Sequence, residues 1–222
     1  MFKELVELWR SDNSLTQALN ASRTMLENTS QMFIESVRSL RESDGGEMDI
    51  NVYEMDQKVN EFEREVRRKV LKHLAITGGV NMIPGLILTS IVIDIERIGD
   101  YSKNIMDLAV AHPKRLNCGK FEDDAQKIER DVTQMFRDIV PSLEASDQEA
   151  ARELRNKNWW MIKRCDEIVD ELVKTEYPSL GSTDAVSTAL YIRYLKRISA
   201  HIMNIASSII NPFEKIGFRE DD

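Results

Sequence analysis

Six stretches of this chain return an apolar residue at every third or fourth position, and that period restricts its fold more than any other feature. The first runs through Leu15, Leu19, Ser22, Leu26, Thr29, Phe33, Val37 and Leu40. Asp44-Gly45-Gly46 ends it, because glycine supplies the left-handed backbone that stops helices. The second uses Val52, Met55, Val59, Phe62, Val66 and Val70 and stops before Thr77-Gly78-Gly79, with Pro84-Gly85 expected to close that loop. The third, from about Leu86 to Ala111, puts Ile87, Ile91, Ile95, Ile98 and Ile105 inside. Its β-branched opening, Leu86 to Ile93, has the composition of a buried strand, yet the same spacing continues well past strand length. Pro113 to Lys120 then interrupts the pattern.

Three further stripes follow. One runs from Phe121 to Ile139 and is expected to end or kink at Pro141. The next runs from Leu154 to Leu172 and is expected to open on a capping box, Ser146-Asp147-Gln148-Glu149. The last, from about Thr183-Asp184, uses Val186, Leu190, Ile198, Ile202, Ile205 and Ile209. With 9 Gly and 5 Pro in 222 residues, there is little material for the turns of an all-β fold. Three helices, a break and three helices suggest a repeat, and the residues support it. Arg97-Ile98 and Asn104-Ile105 recur as Arg197-Ile198 and Asn204-Ile205 at one constant offset. Met55-Asp56-x-x-Val59 is answered by Cys165-Asp166-x-x-Val169 at a different offset, so the match is imperfect. The expected fold is all-α: two tandem antiparallel three-helix bundles, residues 1–113 and 114–222.

Charge and cysteine usage narrow the function. A formal charge of −8 argues against non-specific nucleic-acid binding, which needs a cationic footprint. Cys118 and Cys165 are far apart, which excludes a disulfide scaffold or a Cys-rich zinc site and suits a reducing compartment. The first ten residues, Met1 to Arg10, are charged every few positions and contain no signal-peptide core. The most apolar stretch, Met82 to Ile95, is broken by Pro84 and too short to span a bilayer. A cytoplasmic protein that is not membrane-inserted is the expectation.

The residues able to carry chemistry are mostly acidic. Glu96 and Asp100 lie four apart, so both carboxylates leave one face of the third helix, with Asp107 further along it. The second helix offers Asp56, Asn60 and Glu63 at similar spacing. Two such stripes on neighbouring helices can converge on a hard or borderline cation. By spacing alone a solvated face is the commoner outcome, with Arg97 and Lys103 at hand to pair. None of His73, His112 or His201 completes the Glu-x-x-His of a di-iron bundle, and no nucleotide-binding, zincin or nucleophile-elbow motif occurs. The basic run Arg64, Arg67, Arg68, Lys69 and Lys72 is interleaved with glutamates, which fits a solvated face; docking of an acidic partner or phosphate is the sharper alternative. Adjacent Trp159 and Trp160 place one ring toward the core and the other at the rim.

Asp94-Ile95-Glu96-Arg97-Ile98-Gly99-Asp100-Tyr101-Ser102-Lys103-Asn104-Ile105 resembles the PhoU family, whose repeat contains a Glu-Arg-Ile-Gly-Asp core followed closely by Asn-Ile. Arg193 to Ile198, Asn204-Ile205 and Ile210-Asn211-Pro212-Phe213 resemble its second repeat in degenerate form. The resemblance implies two three-helix bundles, a cytoplasmic location and a regulatory role in phosphate homeostasis through a phosphate ABC importer and a sensor histidine kinase. A homodimer is left open. It also implies iron or zinc on Glu96 and Asp100, with Asp56 as the partner from the second helix. Lys196 and Ala200 stand where the second repeat's acids would be, so metal is expected in the first repeat only. The rival readings are a carboxylate-bridged metallo-enzyme and a helical adaptor unrelated to phosphate.

Overall fold

The period of three to four becomes six long helices in the computed structural model, which describes residues 13–77 and 82–218 together with the single positions 3 and 7. They are α1 (Asn13–Glu42), α2 (Val52–Thr77), α3 (Met82–Ala111), α4 (Glu122–Ala145), α5 (Gln148–Lys174) and α6 (Ser182–Ile210). Three short 3-10 turns, Gly119–Phe121, Pro178–Leu180 and Phe213–Lys215, fill the connections, and no strand occurs among the described residues. The charged N-terminal decapeptide, apart from positions 3 and 7, and the Gly78-Gly79 break lie outside them.

Three expected helix boundaries move. Pro84 and Gly85 do not close a loop but lie buried in the first turn of α3. Proline is tolerated there because first-turn N–H groups have no intrahelical acceptor. Nor does Pro141 end α4, which continues to Ala145 with Ser142 and Leu143 buried beyond it. The capping box is replaced by a simpler cap. The Asp147 carboxylate accepts hydrogen bonds from the Glu149 and Ala150 N–H groups, both at 3.0 Å. Ser146 instead ends α4 in the left-handed region at φ 55°. A carboxylate next to the first free donors supplies both the acceptor and the favourable charge.

Within each half the helices pack on one another, and two seams join the halves: α3 against α6 and α1 against α4. Both seams are antiparallel. Asp94 meets His201 while Tyr101 meets Tyr194, and Arg23 meets Glu144 while Arg41 meets Glu122. The Phe33 and Phe136 rings lie 5.5 Å apart across the α1–α4 seam. One continuous apolar core runs from Leu15 to Ile209 through both bundles. α3 therefore buries residues on two faces, one toward α1 and α2 and the other toward α6. Gly46, at φ +74°, turns the chain out of α1, and a Cβ there would lie 2.7 Å from the Val110 Cα at the end of α3.

Candidate functional site

α2 and α3 run antiparallel in a register fixed by two side-chain bonds. Tyr53 donates to Asp107 at 2.8 Å, and Lys103 donates to Asp56 at 2.8 Å. Gly99 of α3 faces Val59 of α2 and Thr29 of α1; a Cβ there would meet Thr29 Cγ2 at 3.4 Å and Val59 Cγ1 at 3.5 Å, ordinary contact distances. The corresponding position in α6 is Ser199, fully buried, whose hydroxyl donates back to the Lys196 carbonyl.

This register brings the sequence-predicted acids together. Asp56 is buried, and Glu96 and Asp100 are partly exposed beside it. Lys103 Nζ stands between Asp56 Oδ2 at 2.8 Å and Asp100 Oδ1 at 3.5 Å. Arg97 reaches Asp100 at 3.2 Å and Glu96 at 3.6 Å. Burial works against the charge of Lys103, but Asp56 and Asp100 outweigh it and hold the ammonium above its ordinary pKa. Glu96 shifts the other way for a carboxylate. Burial raises its pKa, and the neighbouring charges of Asp100, Glu63 and Asp56 raise it further, against Arg97.

That shift has a consequence for stability. A carboxyl that binds its proton more tightly when folded contributes most below its unfolded pKa, and the contribution is lost as pH rises through the folded value. Glu96→Gln is therefore expected to melt higher than the wild type at neutral pH, with the gain vanishing below the ordinary carboxylate pKa of 4.5. Thermal unfolding of both proteins across that range checks it, and an unchanged or lowered melting temperature at neutral pH would contradict it.

The second repeat repeats the ammonium but not the acids. Lys196, in register with Glu96, places Nζ 2.5 and 2.6 Å from the two Asp166 carboxylate oxygens. Asp170 is paired with Lys174 at 2.5 Å. Asp56 and Asp166 thus each meet a lysine supplied by the motif helix. Among the described residues, no three His, Cys, Asp or Glu side chains are grouped as metal ligands. As they stand, Asp56 and Asp100 hold the Lys103 ammonium and Glu96 lies near Arg97, an arrangement that fits paired cations and not an iron or zinc ion, which would need Lys103 to withdraw.

Other reactive groups are engaged elsewhere. Burial pushes the Cys118 thiol up to about 11 and the Cys165 thiol up to about 12, so neither is a thiolate at neutral pH. His112 bonds Asp184 and the Lys114 carbonyl. His201 bonds Asp94 at 2.7 Å and stacks on Tyr101, while Asn204 donates to the same Asp94 oxygen at 3.1 Å. Trp160 packs on the core with Lys127 Nζ 3.8 Å above its ring, and Trp159 is exposed.

The periodicity did not mark the most buried charge cluster. Arg41, its side chain 8 % exposed, reaches from the last turn of α1 to Glu129 at 2.9 Å, to Glu122 and to the Leu116 carbonyl. Tyr191 of α6, fully buried, donates to Glu129 at 2.7 Å. Burial acts to raise the Glu122 pKa, but Arg41 and the Cys118 N–H bring it below the usual range. In sequence Arg41 looks like any basic residue in a last helical turn.

Comparison with known proteins agrees with this architecture. The profile of the PhoU domain matches residues 22–109 and again residues 126–209. The structure is similar to the crystal structure of PhoU from Pseudomonas aeruginosa, at a TM-score of 0.66 and 17 % identity, covering 94 % of this chain and 97 % of that one. It is also similar to the phosphate transport system regulatory protein PhoU from Streptococcus pneumoniae, at a TM-score of 0.71 and 17 % identity, covering 94 % and 95 %. At that identity the two structures establish the fold. No curated protein is significantly similar in sequence. Two matched domains over most of the chain, on two tandem three-helix bundles, place this protein in the PhoU domain family.

Proposed function

We propose that this protein restrains phosphate uptake and phosphate-starvation signalling through protein–protein contacts in the cytoplasm, without catalysis of its own. The observation that carries this reading is the double PhoU domain match together with the unbroken Glu96-Arg97-Ile98-Gly99-Asp100 core. The role named for the Streptococcus pneumoniae structure, phosphate transport system regulation, supports the same reading. Its partners on this reading are a phosphate ABC importer, a sensor histidine kinase, or both. The carboxylate and ammonium stripe on α2 and α3 is the recognition surface, since paired charges of both signs select a partner by complementarity. Iron or zinc on Asp56, Glu96 and Asp100 belongs to this proposal only as a state in which Lys103 has moved aside.

Deleting the gene is the direct test. Phosphate uptake and starvation-gene output should stay high in phosphate-replete cells, where the intact strain represses both. Unchanged transport and reporter output across phosphate levels, with any second copy of the family also deleted, would refute the reading. Affinity capture of the intact chain from phosphate-replete cells should return importer or kinase subunits, and charge reversal at Glu96 and Asp100 should reduce that recovery.

A further inference from the structure

We propose that the corner where α2 ends and α3 begins is a docking surface for an anionic lipid bilayer. The inference goes beyond the regulatory reading and does not depend on it. Residues 66–93, 28 in succession, contain no Asp or Glu, although the chain has 38 of them in 222. Arg64, Arg67, Arg68, Lys69 and Lys72 against Glu65 give residues 64–93 a net charge of +4, so the rest of the chain carries −12. Arg67 and Lys69 are paired with Glu63 and Glu65 at 2.8 and 2.6 Å. Arg64, Arg68 and Lys72 are left exposed without an ion-pair partner among the described residues.

The same surface carries aliphatic side chains that the core does not use. Leu71 is 69 % and Ile76 74 % exposed, and Met82, Ile83 and Leu86 are exposed on the first turns of α3 beside them. Arg64, Arg68, Leu71, Lys72 and Ile76 fall at helical spacing on one outer face of α2. Phe213, in the 3-10 turn packed near the start of α3, is exposed too, next to one acid, Glu214, and one base, Lys215.

An acidic protein segment would satisfy the cations but leave Leu71 and Ile76 in water. An apolar groove would take the aliphatics but strand three unpaired cations. The interface of an anionic bilayer accepts both, with ammonium and guanidinium groups among headgroups and aliphatic tips at the acyl boundary. Each basic side chain near such a surface raises partitioning by about fivefold. The −12 elsewhere does not prevent this. α2 is roughly 39 Å long at 1.5 Å per residue, whereas charges are screened over about 8 Å in physiological salt. At the same end of the second bundle α5 opens on Asp147 and Glu149, so the contact is the α2–α3 corner and not the whole end. No helix among the described residues is long and apolar enough to cross a membrane, so the mode is adsorption.

Sedimentation of the full chain with phosphatidylcholine vesicles, with and without phosphatidylglycerol, tests the proposal. The chain should pellet only with the anionic vesicles, and less so as salt rises. Arg68→Glu with Lys72→Glu, and separately Leu71→Ser with Ile76→Ser, should each lower partitioning by about tenfold or more while circular dichroism and melting stay unchanged. Equal binding to both vesicle types, binding to neither, or variants that bind like the wild type would overturn it. So would a dimer abolished by Leu71→Ser with Ile76→Ser and seen without vesicle binding, which would assign the face to a second copy. Preference for soluble polyglutamate over anionic vesicles would assign it to an acidic protein and equally overturn it.

Discussion

Arg41→Met is expected to lower the unfolding free energy by about 3–5 kcal/mol. The Arg41 guanidinium is nearly enclosed and satisfies Glu129, Glu122 and the Leu116 carbonyl at once, tying α1 to α4 and to the connector between the bundles. Removing it leaves the half-buried Glu122 and Glu129 with neutral donors only, the Cys118 N–H and Gln126 for one and Tyr191 for the other, and a partly buried charge without its counter-ion costs more than the intact pair contributes. Burial alone favours the neutral form of Glu122; Arg41, with the Cys118 N–H and Gln126, keeps its pKa low. Denaturant unfolding of Arg41→Met, Arg41→Lys, Glu129→Leu and Arg41→Met with Glu129→Leu checks the mechanism. The lysine should recover part of the loss, and Glu129→Leu, which strips the buried Tyr191 hydroxyl of its acceptor, should cost less in the Arg41→Met background than in the wild type because both changes act on one network. A loss under about 1 kcal/mol for Arg41→Met, the size of an exposed ion pair, would show that the cluster is solvated.

Separating the chain between residues 113 and 114 is expected to leave two pieces that do not unfold cooperatively by themselves. The two family matches suggest independent units, but the packing does not divide there. Cutting would expose the face of α3 that meets α6 and the Phe33 face of α1 that meets Phe136. It would also break the bonds of Asp94 to His201 and Asn204. Each bundle would then be a domain of roughly 110 residues with an apolar flank in water, a condition that favours association or a loosely packed state. Calorimetry should give one transition for the whole chain and none for residues 1–113 alone. Mixing the two pieces should restore it. A sharp transition in the isolated first half would show that its own core suffices.

How much of the site the sequence disclosed depends on the range of the interaction. One-turn spacing put Glu96 and Asp100 on one helix face, the family resemblance singled them out together with Asp56, and Arg97 and Lys103 lay near enough in sequence to be suspected as partners. That Lys103 would stand between Asp56 and Asp100 was beyond reach, because it depends on the register in which α2 packs on α3. The same holds for Lys196, whose Asp166 partner is 30 residues away on another helix.

By itself the sequence determined that this chain is helical, where most of its helices lie, that the second half repeats the first, and which residues face inward except at the start of α6, where Val186 and Leu190 of the apolar stripe are exposed and Ser187, Thr188 and Tyr191 are buried instead. These are local properties, written in the period of three to four and in the Arg-Ile and Asn-Ile pairs at constant offset. Only the tertiary structure decided that α4 runs on through Pro141, since Ile139, Ser142 and Leu143 buried on either side can hold a helix through a missing hydrogen bond. It alone also decided that both bundles share one core and that Arg41, Glu129 and Tyr191 meet in it. Those contacts join residues 62 and 88 positions apart, and their energy comes from excluding water where helices cross, a condition no window along the chain contains.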